Sequence, residues 1–178
     1  MMGRSVNSAA RSSMVLGSSK QRGAVDGATP REAAQRLTDG LRALAPLAES
    51  RSVSILVEPL APHQCNVVTT LPEAMAVVRA VNSPAVQTIF DTHNTAAEKQ
   101  PPDALLRDYF PWIRHVHLNE MDGRRPGAGD FPFALVLRTL KELDYGGWIS
   151  VEILDIESDA ETAARLAHEY LRGLTNRK

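Results

Sequence analysis

An α/β fold built on five parallel strands is what this sequence predicts. Short runs rich in Val and Ile recur five times, and helical stretches separate them. No linker or shift of composition divides the 178 residues. Such alternation packs as parallel strands joined by right-handed crossovers. The length allows one domain with a sizeable core.

The elements follow in order. Residues 14–16 form the first strand, closed by Gly17 and Ser18. Thr29, Pro30 and Glu32 then mark a helix start: a capping hydroxyl, a proline at the first helical position and a carboxylate three residues after the cap. That helix runs to about Ser50, through Leu37, Leu41, Leu44 and Leu47. Residues 53–57 are the second strand. Thr70 and Glu73 repeat the capping signature before Met75, Val77 and Val78. The third strand is 86–90. Asp103 is expected to open a shorter helix through Leu105, Leu106 and Tyr109. Residues 113–118 are the fourth strand. Asp130 precedes a helix carrying Phe133, Leu135, Val136, Leu137 and Leu140, which ends before Gly146 and Gly147. The fifth strand is 148–153. Ser158 and Asp159 are expected to cap the last helix, where Ala163, Leu166 and Tyr170 share one face.

Composition excludes several functions. Twenty basic residues against 21 acidic ones leave a net charge of −1, so nothing draws the chain broadly to nucleic acid or to an anionic membrane. Cys65 is the single cysteine, which excludes a disulfide framework and a multi-cysteine zinc site. The apolar runs are strand-sized, too short to span a bilayer. Residues 1–12 hold several Ser and Arg and no acid, without an amphipathic helix of useful length. They read as a poorly ordered or truncated N-terminal segment, with 13–178 as the folded part. A cytoplasmic location is expected, in keeping with the cysteine usage.

Four potential metal ligands stand at the ends of four successive strands: Glu58, Asp91, His117 and Glu152. The steps between them are 33, 26 and 35 residues, each near one βα unit of roughly 30 residues. Each therefore returns to the same edge of the sheet. In a curved parallel sheet that edge is the C-terminal face, where barrel enzymes build their sites. Three carboxylates converging there repel one another unless a cation sits between them. An oxygen-rich set with one imidazole suits a divalent ion: Mn²⁺ first, with Mg²⁺, Co²⁺ or Zn²⁺ as alternatives.

The segments ILVEPL, FDTHN, HVHLNE followed by RRPGAGDF, and YGGWISVEI resemble the sugar isomerases and epimerases of the xylose-isomerase-like barrel superfamily. The nearest likeness is to the tagatose and psicose 3-epimerase type. It runs from about Met14 to the C-terminus. The resemblance implies a partial (β/α)8 TIM barrel, the five strands being the fourth to the eighth. It also implies that Glu58, Asp91, His117 and Glu152 bind one metal, and that Glu58 and Glu152 form the acid–base pair. His93 corresponds to a substrate-binding histidine, in a segment one residue shorter than the epimerase pattern. Arg124 matches a substrate-binding arginine, with Arg125 as the alternative across a gap.

That chemistry is intelligible in its own terms. A cation polarises the ketose carbonyl and eases removal of the adjacent C–H proton. One glutamate removes it, giving an enediolate, and a carboxylate on the opposite face returns a proton and inverts the centre. Return to the neighbouring carbon instead interconverts aldose and ketose. The expected function is thus a metal-dependent sugar or sugar-phosphate isomerase or epimerase, acting on a small molecule. Two alternatives stand beside it. One is an endonuclease IV-like phosphodiester hydrolase, which uses three metals and more histidines than the five present. The other is an inactive barrel fragment.

Weaker candidates complete the reading. His115 is expected on the same face as His117. His63 and Asn66, in the loop after Glu58, and Lys20 and Arg22, after the first strand, are candidate substrate contacts. Trp112 and Trp148 are expected to pack, and Cys65 to be inert. A complete barrel of this kind needs about 250 residues, so the first three βα units are unaccounted for. A truncated gene product is the working expectation. Supply of those strands by another chain, or self-pairing as a homo-oligomer, are the alternatives.

Overall fold

The computed structural model describes residues 12–155 and 159–175. Residues 1–11 and Ser158, to which expectations were attached above, lie outside the described residues. Five strands form one sheet in the order β1-β2-β3-β4-β5, and every adjacent pair is parallel. They are β1 (Ser12–Leu16), β2 (Val53–Val57), β3 (Val86–Asp91), β4 (Ile113–Leu118) and β5 (Trp148–Val151). Helices α1 (Ser19–Arg22), α2 (Pro30–Ser50), α3 (Leu71–Val81), α4 (Pro102–Tyr109), α5 (Phe133–Glu142) and α6 (Ala160–Thr175) alternate with them. The result is a partial TIM barrel, open between β1 and β5.

Local chemistry explains the helix starts. Thr29 and Glu32 form a reciprocal capping box at α2, and the Thr70 hydroxyl accepts the Glu73 N–H at α3. At α4 the cap position is Pro101 and Pro102 opens the helix, so Asp103 sits inside the first turn rather than before it. Proline suits that place because its ring presets φ and it lacks an N–H that would go unbonded. At α6 the Asp159 carboxylate accepts the Thr162 N–H.

Two apolar layers lie outside the sheet. One joins α2 and α3 to β2 and β3 through Leu41, Ala45, Met75, Val78, Val57 and Val86. The other joins α4, α5 and α6 to β3 and β4 around Leu105, Leu106, Phe133 and Val116. The buried side of α2 is small: Ala33, Thr38, Leu41, Ala45 and Ala48. Leu44 and Leu47 lie on its open side, 51% and 57% exposed. Trp112 packs partly against the first layer, with Arg79 over its ring. Trp148 departs from expectation, being 81% exposed on the edge strand β5.

Strand alternation sets the other face. Leu56, Ile89 and His117 point away from the helices, as do Glu58 and Asp91 at their strand ends. Register seats the ends side by side: Asp91 pairs with His117, and His117 with Ser150, two residues before Glu152.

Candidate metal centre

The four expected ligands meet at one point. Glu58, Asp91, His117 and Glu152 each offer an atom, and these atoms lie within 4.8 Å of one another. His117 is central: its Nδ1 is 3.5 Å from Glu58, 3.4 Å from Asp91 and 3.3 Å from Glu152 carboxylate oxygens. An ion bonded at about 2.1 Å holds neighbouring ligand atoms about 3.0–3.4 Å apart, so the spacing suits a cation at the centre. Glu58 Oε1, Asp91 Oδ2 and His117 Nδ1 are buried and lack a well-formed hydrogen bond. Buried polar atoms rarely go without partners; here three such atoms face one another. The residues present therefore fit a divalent ion.

Electrostatics differ across the cluster. Burial pushes the Glu58 carboxyl up, against the pull of His117, and the charges of Asp91 and Glu152 add to the rise. Contact with His117 holds Glu152 below the usual range, against a smaller effect of burial. Burial disfavours charge on His117, but contacts with Asp91, Glu152 and Glu58 outweigh it and push its pKa up to about 11. The Nδ1 proton therefore stabilises the metal-free fold, fully so below about pH 6.5, and is lost as pH rises through about 11. A cation needs that nitrogen's lone pair and must displace the proton. Affinity for Mn²⁺ is expected to rise about tenfold per pH unit from pH 6.5 to 8, measured by titration calorimetry. A pH-independent affinity would contradict this.

Two neighbours fix Glu58. A Cβ built on Gly17 would stand 2.0 Å from Glu58 Oε2, so a methyl group there forces the carboxylate out of its present place. Arg22, 5% exposed, donates to the carbonyls of Leu16 (3.1 Å), Glu58 (2.6 Å) and Val68 (3.4 Å). Its guanidinium ties together the ends of β1 and β2. Lys20 is exposed. Gly17→Ala is expected to weaken Mn²⁺ binding by about 10–100-fold, as changes behind a ligand commonly do. Its circular dichroism should stay that of the parent. Unchanged affinity would show that Glu58 has another rotamer available.

The other candidates fall in different places. His93 is 5% exposed beside the cluster. The His93 N–H donates to an Asp91 oxygen at 2.8 Å and to Asn119 Oδ1 at 2.9 Å. His63 meets the His93 ring edge-on, 5.6 Å between centroids. Asn66 instead holds the main chain of Ala24. Arg124 pairs with Asp122 at 2.7 Å, and Arg125 donates to the Pro126 carbonyl. The His115 ring lies 4.9 Å from that of His117, edge-on, and shares a 2.9 Å hydrogen bond with Ser150. Burial, then His117, lowers its pKa. Cys65 is buried with its thiol toward the Ser19 carbonyl.

Comparison with known proteins places this arrangement. The profile of the xylose isomerase-like TIM barrel family matches residues 12–174. The chain belongs to that family. Fructoselysine 3-epimerase of Escherichia coli is 26% identical over 145 residues, covering 78% of this chain and 53% of the relative. D-psicose 3-epimerase of Agrobacterium fabrum is 26% identical over 117 residues, covering 66% and 40%. The chain spans about half the length, or less, of these curated relatives. The solved 3-keto-D-glucoside 4-epimerase of E. coli superposes with a TM-score of 0.75 at 21% identity, covering 86% of this chain and 57% of that one. D-psicose 3-epimerase of Clostridium cellulolyticum gives 0.73 at 19%, covering 85% and 60%. These likenesses establish the fold. Among the described residues, no helix of this family member is long and apolar enough to cross a membrane.

Proposed function

We propose that the chain carries the metal and acid–base half of a sugar epimerase or isomerase. One observation supports this above the others. Two glutamates, Glu58 and Glu152, flank His117 and Asp91 so that all four donors lie within 4.8 Å. A divalent cation held by these residues, Mn²⁺ in our reading, supplies polarisation of the sugar carbonyl. Glu152, 41% exposed at its side chain, takes the C–H proton from one face. Glu58 returns a proton from the other. One carboxyl group on each side of the reacting carbon is what proton removal and return require. In the reverse direction they exchange roles. His93 and Arg124 are assigned to the sugar hydroxyls.

The named relatives act on psicose and fructoselysine at carbon 3, which favours epimerisation beside a ketose carbonyl. A small ketose or its phosphate is the substrate class, and the cytoplasm is the proposed location. A single four-donor cluster among the described residues supports the one-metal isomerase reading over the phosphodiesterase reading. The test is D-psicose with the purified, Mn²⁺-loaded chain in D₂O, followed by proton NMR. Loss of the C3–H signal and appearance of the C3 epimer, above the rate with Mn²⁺ alone, are expected. Turnover should be slow, because the sheet borders the substrate on one side only. A rate equal to that of Mn²⁺ alone, with the metal bound, would favour an inactive fragment.

A further inference from the structure

Glu120 is 2% exposed, and neither the metal cluster nor the proposed proton transfers use it. It follows β4 by two residues and opens the loop to α5. Its carboxylate makes two hydrogen bonds to that loop. Oε1 accepts the Gly127 N–H at 2.9 Å, and Oε2 accepts the Phe131 N–H at 3.1 Å. The loop closes tightly on it: a Cβ on Gly129 would stand 2.8 Å from Oε2. Its main chain is engaged as well. The Glu120 N–H donates to the Arg124 carbonyl at 3.0 Å, and its own carbonyl accepts the Gly123 N–H at 2.9 Å. That same carbonyl lies 3.3 Å from His93 Nδ1.

The last contact has a chemical consequence. A carbonyl can only accept, so His93 Nδ1 carries the hydrogen. In the neutral ring Nε2 is then left with its lone pair, able to accept from a hydroxyl. Nε2 lies 3.4 Å from the Gln64 amide nitrogen, at the half-buried margin of the cluster; in that tautomer it accepts from this amide, and an arriving hydroxyl takes the amide's place.

We propose that Glu120 is a positioning residue that fixes His93 as a hydroxyl acceptor and shapes the loop bearing Arg124. Its carboxylate is the fixed end, gathering residues 127–131 round itself. Its carbonyl is the working end, setting the tautomer and angle of the His93 ring. The role of His93 toward sugar rests on the function proposed above; the coupling of Glu120 to His93 does not.

Glu120→Gln tests this, because glutamine has one acceptor oxygen for two N–H groups and turns its own NH₂ toward the second. Gly129→Ala tests it from the other side, keeping the charge but pressing a methyl group against Oε2. Should E120Q not fold, G129A carries the same test. The readouts are amide hydrogen exchange at Gly127 and Phe131, ¹⁵N shifts of the His93 ring, Mg²⁺ affinity, and affinity for D-psicose, all on the whole chain. Exchange at both amides is expected to quicken at least about tenfold. The His93 shifts should move from the Nδ1–H pattern toward a tautomer mixture, with Mg²⁺ affinity within about twofold of the parent. D-psicose affinity should fall at least about tenfold. Quickened exchange with an unmoved His93 pattern would reduce Glu120 to a loop anchor and overturn the proposal. A parent chain that binds Mg²⁺ but not D-psicose would refute the substrate reading, while the His93 shifts still decide the role of Glu120.

Discussion

Glu152→Gln is expected to slow exchange of the sugar C–H proton by about 100-fold or more while sparing most metal binding. Glutamine keeps an oxygen where the carboxylate oxygen stood, so a cation retains its fourth donor. It cannot take up a proton as a carboxylate does. The position is suited to the task. Contact with His117 holds the Glu152 carboxyl in its charged form, and 41% of its side chain is open. Asp91 has no side-chain exposure and two main-chain N–H groups on Oδ1. It can hold a metal but cannot reach a substrate. Asp91→Asn should therefore fail first in metal binding, and Glu152→Gln first in proton exchange. Calorimetry with Mn²⁺ and NMR of D-psicose in D₂O separate the two. Undiminished exchange in Glu152→Gln would remove Glu152 from the acid–base pair.

The same contrast shows what the sequence makes legible. Glu58, Asp91, His117 and Glu152 were readable because a βα unit is a ruler: one turn of it returns the chain to the same end of the sheet. Caps were readable because Thr29 and Glu32 act within one helical turn. Gly17 and Arg22 were not, since their meaning lies in contacts to Glu58, 41 and 36 positions away. Nothing in local spacing marks a glycine whose missing Cβ makes room for a carboxylate. Glu120 was hidden by its neighbours, since HLNE reads as the polar end of a strand until the loop folds back. Leu44 and Leu47 show the converse limit. Their helical period is plain, yet period alone does not say which flank of a helix meets another element.

The purified chain is expected to self-associate at low micromolar concentration. Among the described residues β1 and β5 each pair on one side only, leaving a row of main-chain N–H and C=O groups on each outer edge. Edges of this kind recruit further strands unless charge, proline or a covering element blunts them. Here they are apolar. Met14 is 62% and Val15 39% exposed on β1; Trp148 is 81%, Ile149 39% and Val151 39% exposed on β5. Leu44 and Leu47 extend the open apolar surface onto α2. By alternation Trp148 shares the face of Ser150 and Glu152, so an indole projects from the concave side with little covering it. At roughly 25 cal/mol per Å², covering a few hundred Å² contributes several kcal/mol, comparable with the whole stability of a small domain. Sedimentation velocity should show dimers or larger species, and Trp148 fluorescence should shift to the blue as concentration rises. Trp148→Lys, which sets a charge on the β5 edge, should move the distribution toward monomer without loss of helical signal. A parent chain that sediments as a monomer and unfolds cooperatively would show that five strands bury enough surface alone, and that these edges are tolerated as they stand.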